Sequence, residues 1–125
     1  MIMEFDALSN RVIGCAIEVH RVLGPGLLES AYEQCLAKEL SDHRIPFALQ
    51  VPVTIQYKEL RVDIAYRLDL LVDGKLIVEI KSSERLIAIH HAQLLTYMKL
   101  ARVSAGLLIN FNSLVLKDGI KRFVL

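Results

Sequence analysis

The stretch from Tyr66 to Lys81 limits the possible folds more than any other part of the chain. It reads Tyr-Arg-Leu-Asp-Leu-Leu-Val-Asp-Gly-Lys-Leu-Ile-Val-Glu-Ile-Lys, two β-patterned runs joined at Asp73-Gly74, a dipeptide suited to a tight hairpin turn. Ile64, Tyr66, Leu68, Leu70, Val72, Leu76, Val78 and Ile80 are all even-numbered and apolar. Odd positions hold Arg67, Asp69, Glu79 and Lys81, with Leu71 and Ile77 as apolar exceptions. Side chains alternate faces along a strand, so the even set predicts one buried face and the odd set a charged one.

Parity also restricts the turn. Residues opposite each other in a hairpin share a face, so the even set buries together only if paired numbers sum to an even value. A two-residue Asp73-Gly74 turn pairs Val72 with Lys75 and sends the apolar sets to opposite faces. A loop of odd length, such as Val72-Asp73-Gly74 with Gly74 left-handed in a bulge, keeps them together. The same register puts Asp69, Glu79 and Lys81 on one face, and Arg67 with them.

The rest of the chain supplies helices and further strands. Residues from about Phe5 to Leu23 have helical spacing, with Leu8, Val12, Ala16, Val19 and Leu23 as the stripe. Gly24-Pro25-Gly26 stops that helix, and a second runs from about Leu27 to Asp42 with Glu29 in its first turn. Phe47 to Tyr57 alternates with period two. Pro52 within it cannot donate to a ladder, which predicts an edge strand. A third helix spans about Ala88 to Ala101, followed by an apolar strand Ala105 to Phe111 and a short strand Gly119 to Leu125. The order ααβββαββ predicts an α/β (α+β) domain, a central mixed sheet flanked by helices.

Composition narrows the setting. At 125 residues the chain fits one domain, 1–125, and its 54% hydrophobic content favours a full core and an apolar patch for self-association, hence a homodimer. No apolar run approaches the roughly 20 residues of a membrane span, and no signal-peptide pattern opens the sequence. Cys15 and Cys35 fall among apolar helical neighbours, as free thiols do in a reducing, cytoplasmic setting. A net charge of +1 supplies no global attraction for nucleic acid, so any such binding uses local cations. Arg67, Lys75, Arg85, Lys99, Lys117, Lys121 and Arg122 are the available ones.

Asp69 and Glu79 on neighbouring strands suit a hard divalent cation, Mg²⁺ or Mn²⁺, which takes one or two protein carboxylates and keeps several waters. Such an ion lowers the pKa of bound water and offsets charge on a phosphate. Lys81 beside them orients the water or the phosphate. The same residues also fit a solvated sheet face with a weak ion pair.

Asp69 followed by Glu79-Ile80-Lys81 resembles the PD-(D/E)XK nuclease superfamily, with Leu68 where the nominal motif has proline. Gly26-Leu27-Leu28-Glu29-Ser30-Ala31-Tyr32 resembles the signature of the GxxExxY proteins within it. Val51-Pro52-Val53, Tyr66 to Leu70, Ala92 to Tyr97 and Gly106 to Asn112 are similar to that family too. The resemblance implies a restriction-endonuclease-like fold, with Glu29, Asp69, Glu79, Lys81 and Gln93 at catalytic positions. It implies a metal held by Asp69, Glu79, the Ile80 carbonyl and Glu29.

Several of these residues have a plainer role available. Glu29 in a first helical turn gains from the helix dipole. Tyr32 suits core packing with its hydroxyl at the rim. Gln93 and Tyr97 share a helix face and resemble the Gln-x-x-x-Tyr element of RecB-type nucleases, where it contacts the substrate strand. The alternative is an edge pair. His90 and His91 diverge by about 100° and cannot both face one metal. His90 suits a phosphate contact or an exposed helix start. The functional expectation is a metal-dependent nuclease hydrolysing phosphodiester bonds of DNA, less so RNA. A non-catalytic nucleic-acid- or protein-binding module that keeps the fold is the alternative.

Overall fold

A computed structural model describes residues 2–125, with side chains from residue 7 onward. Helices α1 (Ile2–Leu23) and α2 (Glu29–Asp42) lead into strands β1 (Phe47–Tyr57), β2 (Leu60–Val72) and β3 (Leu76–Lys81). Helix α3 (Ala88–Ala101), strand β4 (Ala105–Asn110), a 3-10 turn at Leu116–Gly119 and strand β5 (Ile120–Val124) complete the chain. The expected order and the mixed sheet are both present. Helix α1 starts before Phe5, and the 3-10 turn is an element that hydropathy patterning did not reveal.

The five strands lie in the order β1-β2-β3-β4-β5. All neighbours are antiparallel except β3 and β4, which run parallel with α3 as the crossover between them. β1, with Pro52, is an edge strand as its proline requires. One core lies between the sheet and the α1/α2 layer: Val12, Val19, Tyr32 and Leu36 pack with Leu70, Val72, Val78, Ile80 and Phe111. A second lies under α3, where Leu94 and Met98 pack with Ile77, Leu108, Leu68 and Val53. Helices thus cover both faces of the central strands, which is why β3 and β4 read as continuous apolar runs rather than clean alternations. Cys15 is buried in the first core and Cys35 packs against it, both as free thiols.

The hairpin pairs Val72 with Leu76, Leu71 with Ile77 and Leu70 with Val78, so paired numbers sum to an even value as parity required. The loop is Asp73-Gly74-Lys75, one residue later than the Val72-Asp73-Gly74 loop expected. Asp73 (φ 51°) and Gly74 (φ 64°) are both left-handed, and the Lys75 N–H donates to the Val72 carbonyl at 2.9 Å. Two left-handed central residues match the right-handed strand twist, and Asp and Gly tolerate that conformation.

The expectation of one buried even face holds only for part of β2. Leu70 and Val72 belong to the α1/α2 core, whereas Leu68 and Tyr66 pack under α3, and Ile64 is exposed. The strand pair therefore changes the face it presents between Leu70 and Leu68. On β1 the same break falls at Gln50, between the paired residues Leu49 and Val51, and Gln50 is left-handed at φ 50°. Such a local departure from extended backbone is not something simple alternation can anticipate.

Candidate active site

Pairing between β2 and β3 stops at Leu70 and Val78. Beyond that point the strands part, and each leaves a backbone N–H without a ladder partner. Two carboxylates fill the gap. Asp69 Oδ2 accepts the Ile80 N–H at 2.8 Å, and Glu79 Oε1 accepts the Asp69 N–H at 3.2 Å. Asp69 and Glu79 thus meet in the fork, each satisfying the other's strand.

Glu79 is 6% exposed. Burial and then the neighbouring Asp69 charge push its carboxyl from 4.5 up to about 8, against the backbone N–H of Asp69 and the Lys81 ammonium, which pull it down. Lys81 is half-buried on the last residue of β3, where the Phe111 N–H donates to its carbonyl at 2.9 Å. The chain just beyond it is held rigidly. Asn110, buried, accepts the Ser83 N–H at 3.1 Å and donates to the Ser83 carbonyl at 2.9 Å.

Tyr66 and Tyr97 stack with ring centroids 3.8 Å apart, and the Tyr66 hydroxyl donates to the Tyr97 carbonyl at 3.2 Å. Burial raises both phenols, with the Glu79 charge adding to it, so the pair lies within electrostatic reach of that carboxyl. Gln93 is half-buried one helical turn before Tyr97 and lies on the same side of α3. Among the described residues, Arg67 makes no hydrogen bond or ion pair with these side chains. It is exposed and next to Tyr66 on β2, opposite Pro52 of β1. His90 is occupied by its own helix: its Nδ1 accepts the Ile87 N–H at 3.2 Å at the start of α3.

The Gly26-to-Tyr32 segment forms a second structural unit beside the fork. Tyr32 is buried and stacks on Phe111 at 4.5 Å; its hydroxyl donates to the Gly24 carbonyl at 2.6 Å and accepts the Leu27 N–H at 3.1 Å. The loop so pinned is tied to β3 by Ser82 Oγ, which donates to the Leu27 carbonyl at 2.6 Å. Glu29 then opens α2 with an exposed side chain. One turn later comes Glu33, which neither motif nor hydropathy pattern singles out. Gln50 Nε2 donates to Glu33 Oε1 at 2.6 Å, and burial followed by the Asp69 and Glu29 charges raises the Glu33 carboxyl. Its four-residue spacing from Glu29 is the one signal the sequence carries for it.

Among the described residues, no three His, Cys, Asp or Glu side chains gather closely enough to ligate one ion. Asp69 and Glu79 form a pair. Their chemistry fits a hard divalent cation: two adjoining carboxylates, one deeply buried, repel each other and have an unmet demand for positive charge.

The forked strand pair thus brings the Asp69 and Glu79 side chains together, with Lys81 two residues on along β3. The sequence pattern of the PD-(D/E)XK nuclease superfamily matches residues 6–123, and the chain belongs to that superfamily. The five-stranded sheet with three helices agrees with a restriction-endonuclease-like fold. Neither a curated protein nor a solved structure matches the chain.

Proposed function

We propose that the protein is a Mg²⁺- or Mn²⁺-dependent nuclease that hydrolyses phosphodiester bonds of DNA, on the GxxExxY branch of its superfamily. One observation carries the reading: the β2–β3 fork brings Asp69 and Glu79 together with Lys81 beside them. Asp69, Glu79 and the Ile80 carbonyl would hold the ion, and Glu29, exposed at the start of α2, is assigned as a further ligand. When bound, the ion supplies an acidified water and offsets charge on the phosphate. Lys81 presents a fixed ammonium to the attacking water or a phosphate oxygen. Gln93 braces that water or phosphate, and Tyr97, stacked on Tyr66, borders the path of the strand. The proposal includes a homodimer, since one chain offers one site and cutting a duplex requires two.

The second reading is a binding module for nucleic acid or protein that keeps the fold without turnover. Cleavage of single- and double-stranded DNA in Mg²⁺ and Mn²⁺ separates the two. Asp69→Asn and Lys81→Ala are each expected to lower the rate by about 100-fold or more. Asn at 69 keeps an oxygen for the Ile80 N–H, so that variant is expected to melt near the parent temperature. Activity untouched by both substitutions sinks the nuclease reading, and binding without metal-stimulated cleavage establishes the module.

A further inference from the structure

The net charge of the chain is only +1, yet three cations line one cleft. The cleft lies between β1 and the C-terminal half of α3 and has a volume of about 470 Å³. Arg61, Lys99 and Arg102 line it together with Thr54 and Gln56, and no carboxylate does. Arg61 shares its charge with the exposed Asp63 at 2.9 Å. Among the described residues, Lys99 and Arg102 have exposed side chains and no ion-pair partner.

Position gives the cleft its meaning. Thr54 follows Val53, which pairs with Tyr66, and Lys99 comes two residues after Tyr97. The cleft thus lies toward the β1–β2 turn and the end of α3 from the Tyr66–Tyr97 stack, whose phenols feel the Glu79 charge. At roughly 1.5 Å per residue, Lys99 lies about 3 Å beyond Tyr97 along α3, and Arg102 follows at the helix's C-terminal cap. The volume falls in the range of clefts that hold an organic ligand, far more than one inorganic phosphate needs. A groove lined by cations is how proteins track the backbone of a single nucleic-acid strand.

We propose that this cleft binds the sugar-phosphate backbone of a single DNA strand on one side of the bond at the Asp69–Glu79 fork, with Lys99 and Arg102 on its phosphates. The inference rests on the nuclease reading for its direction, since the strand in the cleft is the one that reaches the fork. Neither cation lies in the fork itself.

The test is binding of a 12-nucleotide single strand of DNA, by fluorescence anisotropy from 50 to 200 mM salt, to Asp69→Asn protein with and without Lys99→Gln/Arg102→Gln. The double substitution is expected to weaken binding about tenfold or more at low salt. It should reduce the slope of log affinity against log salt by about 1.4, at about 0.7 for each phosphate left without its cation. Both side chains are exposed, so melting should not change. A second arm compares cleavage of the 12-mer with that of a dinucleotide too short to reach the cleft: the former slows and the latter does not. Unchanged affinity and slope overturn the proposal, as does an Asp69→Asn protein that binds no strand at 50 mM salt. A parent protein that binds through Lys99 and Arg102 yet cleaves nothing overturns the nuclease reading alone.

Discussion

Glu79 is a nearly solvent-free carboxyl set against the carboxylate of Asp69. Its folded-state value near 8 lies above the ordinary 4.5, so the folded chain retains a proton that the unfolded chain releases. The native state then binds more protons across that interval, and stability falls as pH rises from about 4.5 toward 8, then levels. In chelator, the melting temperature is expected to decline over this range, with each kcal/mol lost amounting to roughly 4 °C. Glu79→Gln cannot ionise and should flatten the profile. A divalent ion should do the same by taking the proton's place, and adding it at about 100 times its Kd should stabilise the fold by about 2.7 kcal/mol. A metal-free profile as flat as that of Glu79→Gln would refute the assignment.

Elements hold these residues in place, and the Gly26-to-Tyr32 segment shows how. Its tyrosine is a strut: the ring rests on Phe111 while the hydroxyl ties down the loop that precedes α2. Tyr32→Phe preserves the stack and leaves the Leu27 N–H and the Gly24 carbonyl without that partner. The expected cost is about 1–2 kcal/mol of stability, measured by denaturant unfolding. Because Ser82 joins the same loop to the end of β3, the rate of DNA cleavage should fall as well. Unchanged stability would show that water replaces the hydroxyl. The hairpin was legible at this scale because its apolar parity admits only an odd loop. The placement of that loop one residue later was not, since both loop phases satisfy the same parity. Nor was the reversal at Gln50, which depends on one backbone dihedral rather than on residue type. Glu33 was hidden for a related reason: its approach depends on Gln50 being turned toward α2.

For the whole molecule, the sequence disclosed the order of elements and the mixed sheet, because helices and strands differ in period and Pro52 marks an edge. It could not disclose the cation cleft, whose members come from β1, β2 and α3 and become neighbours only after the sheet twists under its helix. The proposed dimer belongs to this scale too. Leu114 is 91% exposed, and Val22 and Val115 are also largely uncovered, on a region where His20 Nε2 meets the Ser113 carbonyl at 2.7 Å. Sedimentation at micromolar concentration is expected to give twice the chain mass, and Leu114→Glu to return it to one. A single-chain mass for the parent protein rejects the dimer.

The parting of β2 and β3 has one more consequence. Where peptide groups would close the sheet, acidic side chains serve as its rungs, so the groups that the proposal assigns to hydrolysis are also stitches in the fabric. A lineage drifting toward inactivity through alanine or glycine at position 69 would fray its own sheet, whereas asparagine there would silence the chemistry and leave the weave intact. Retired copies of such a chain, if they persist as folded proteins, should therefore bear amides in place of acids.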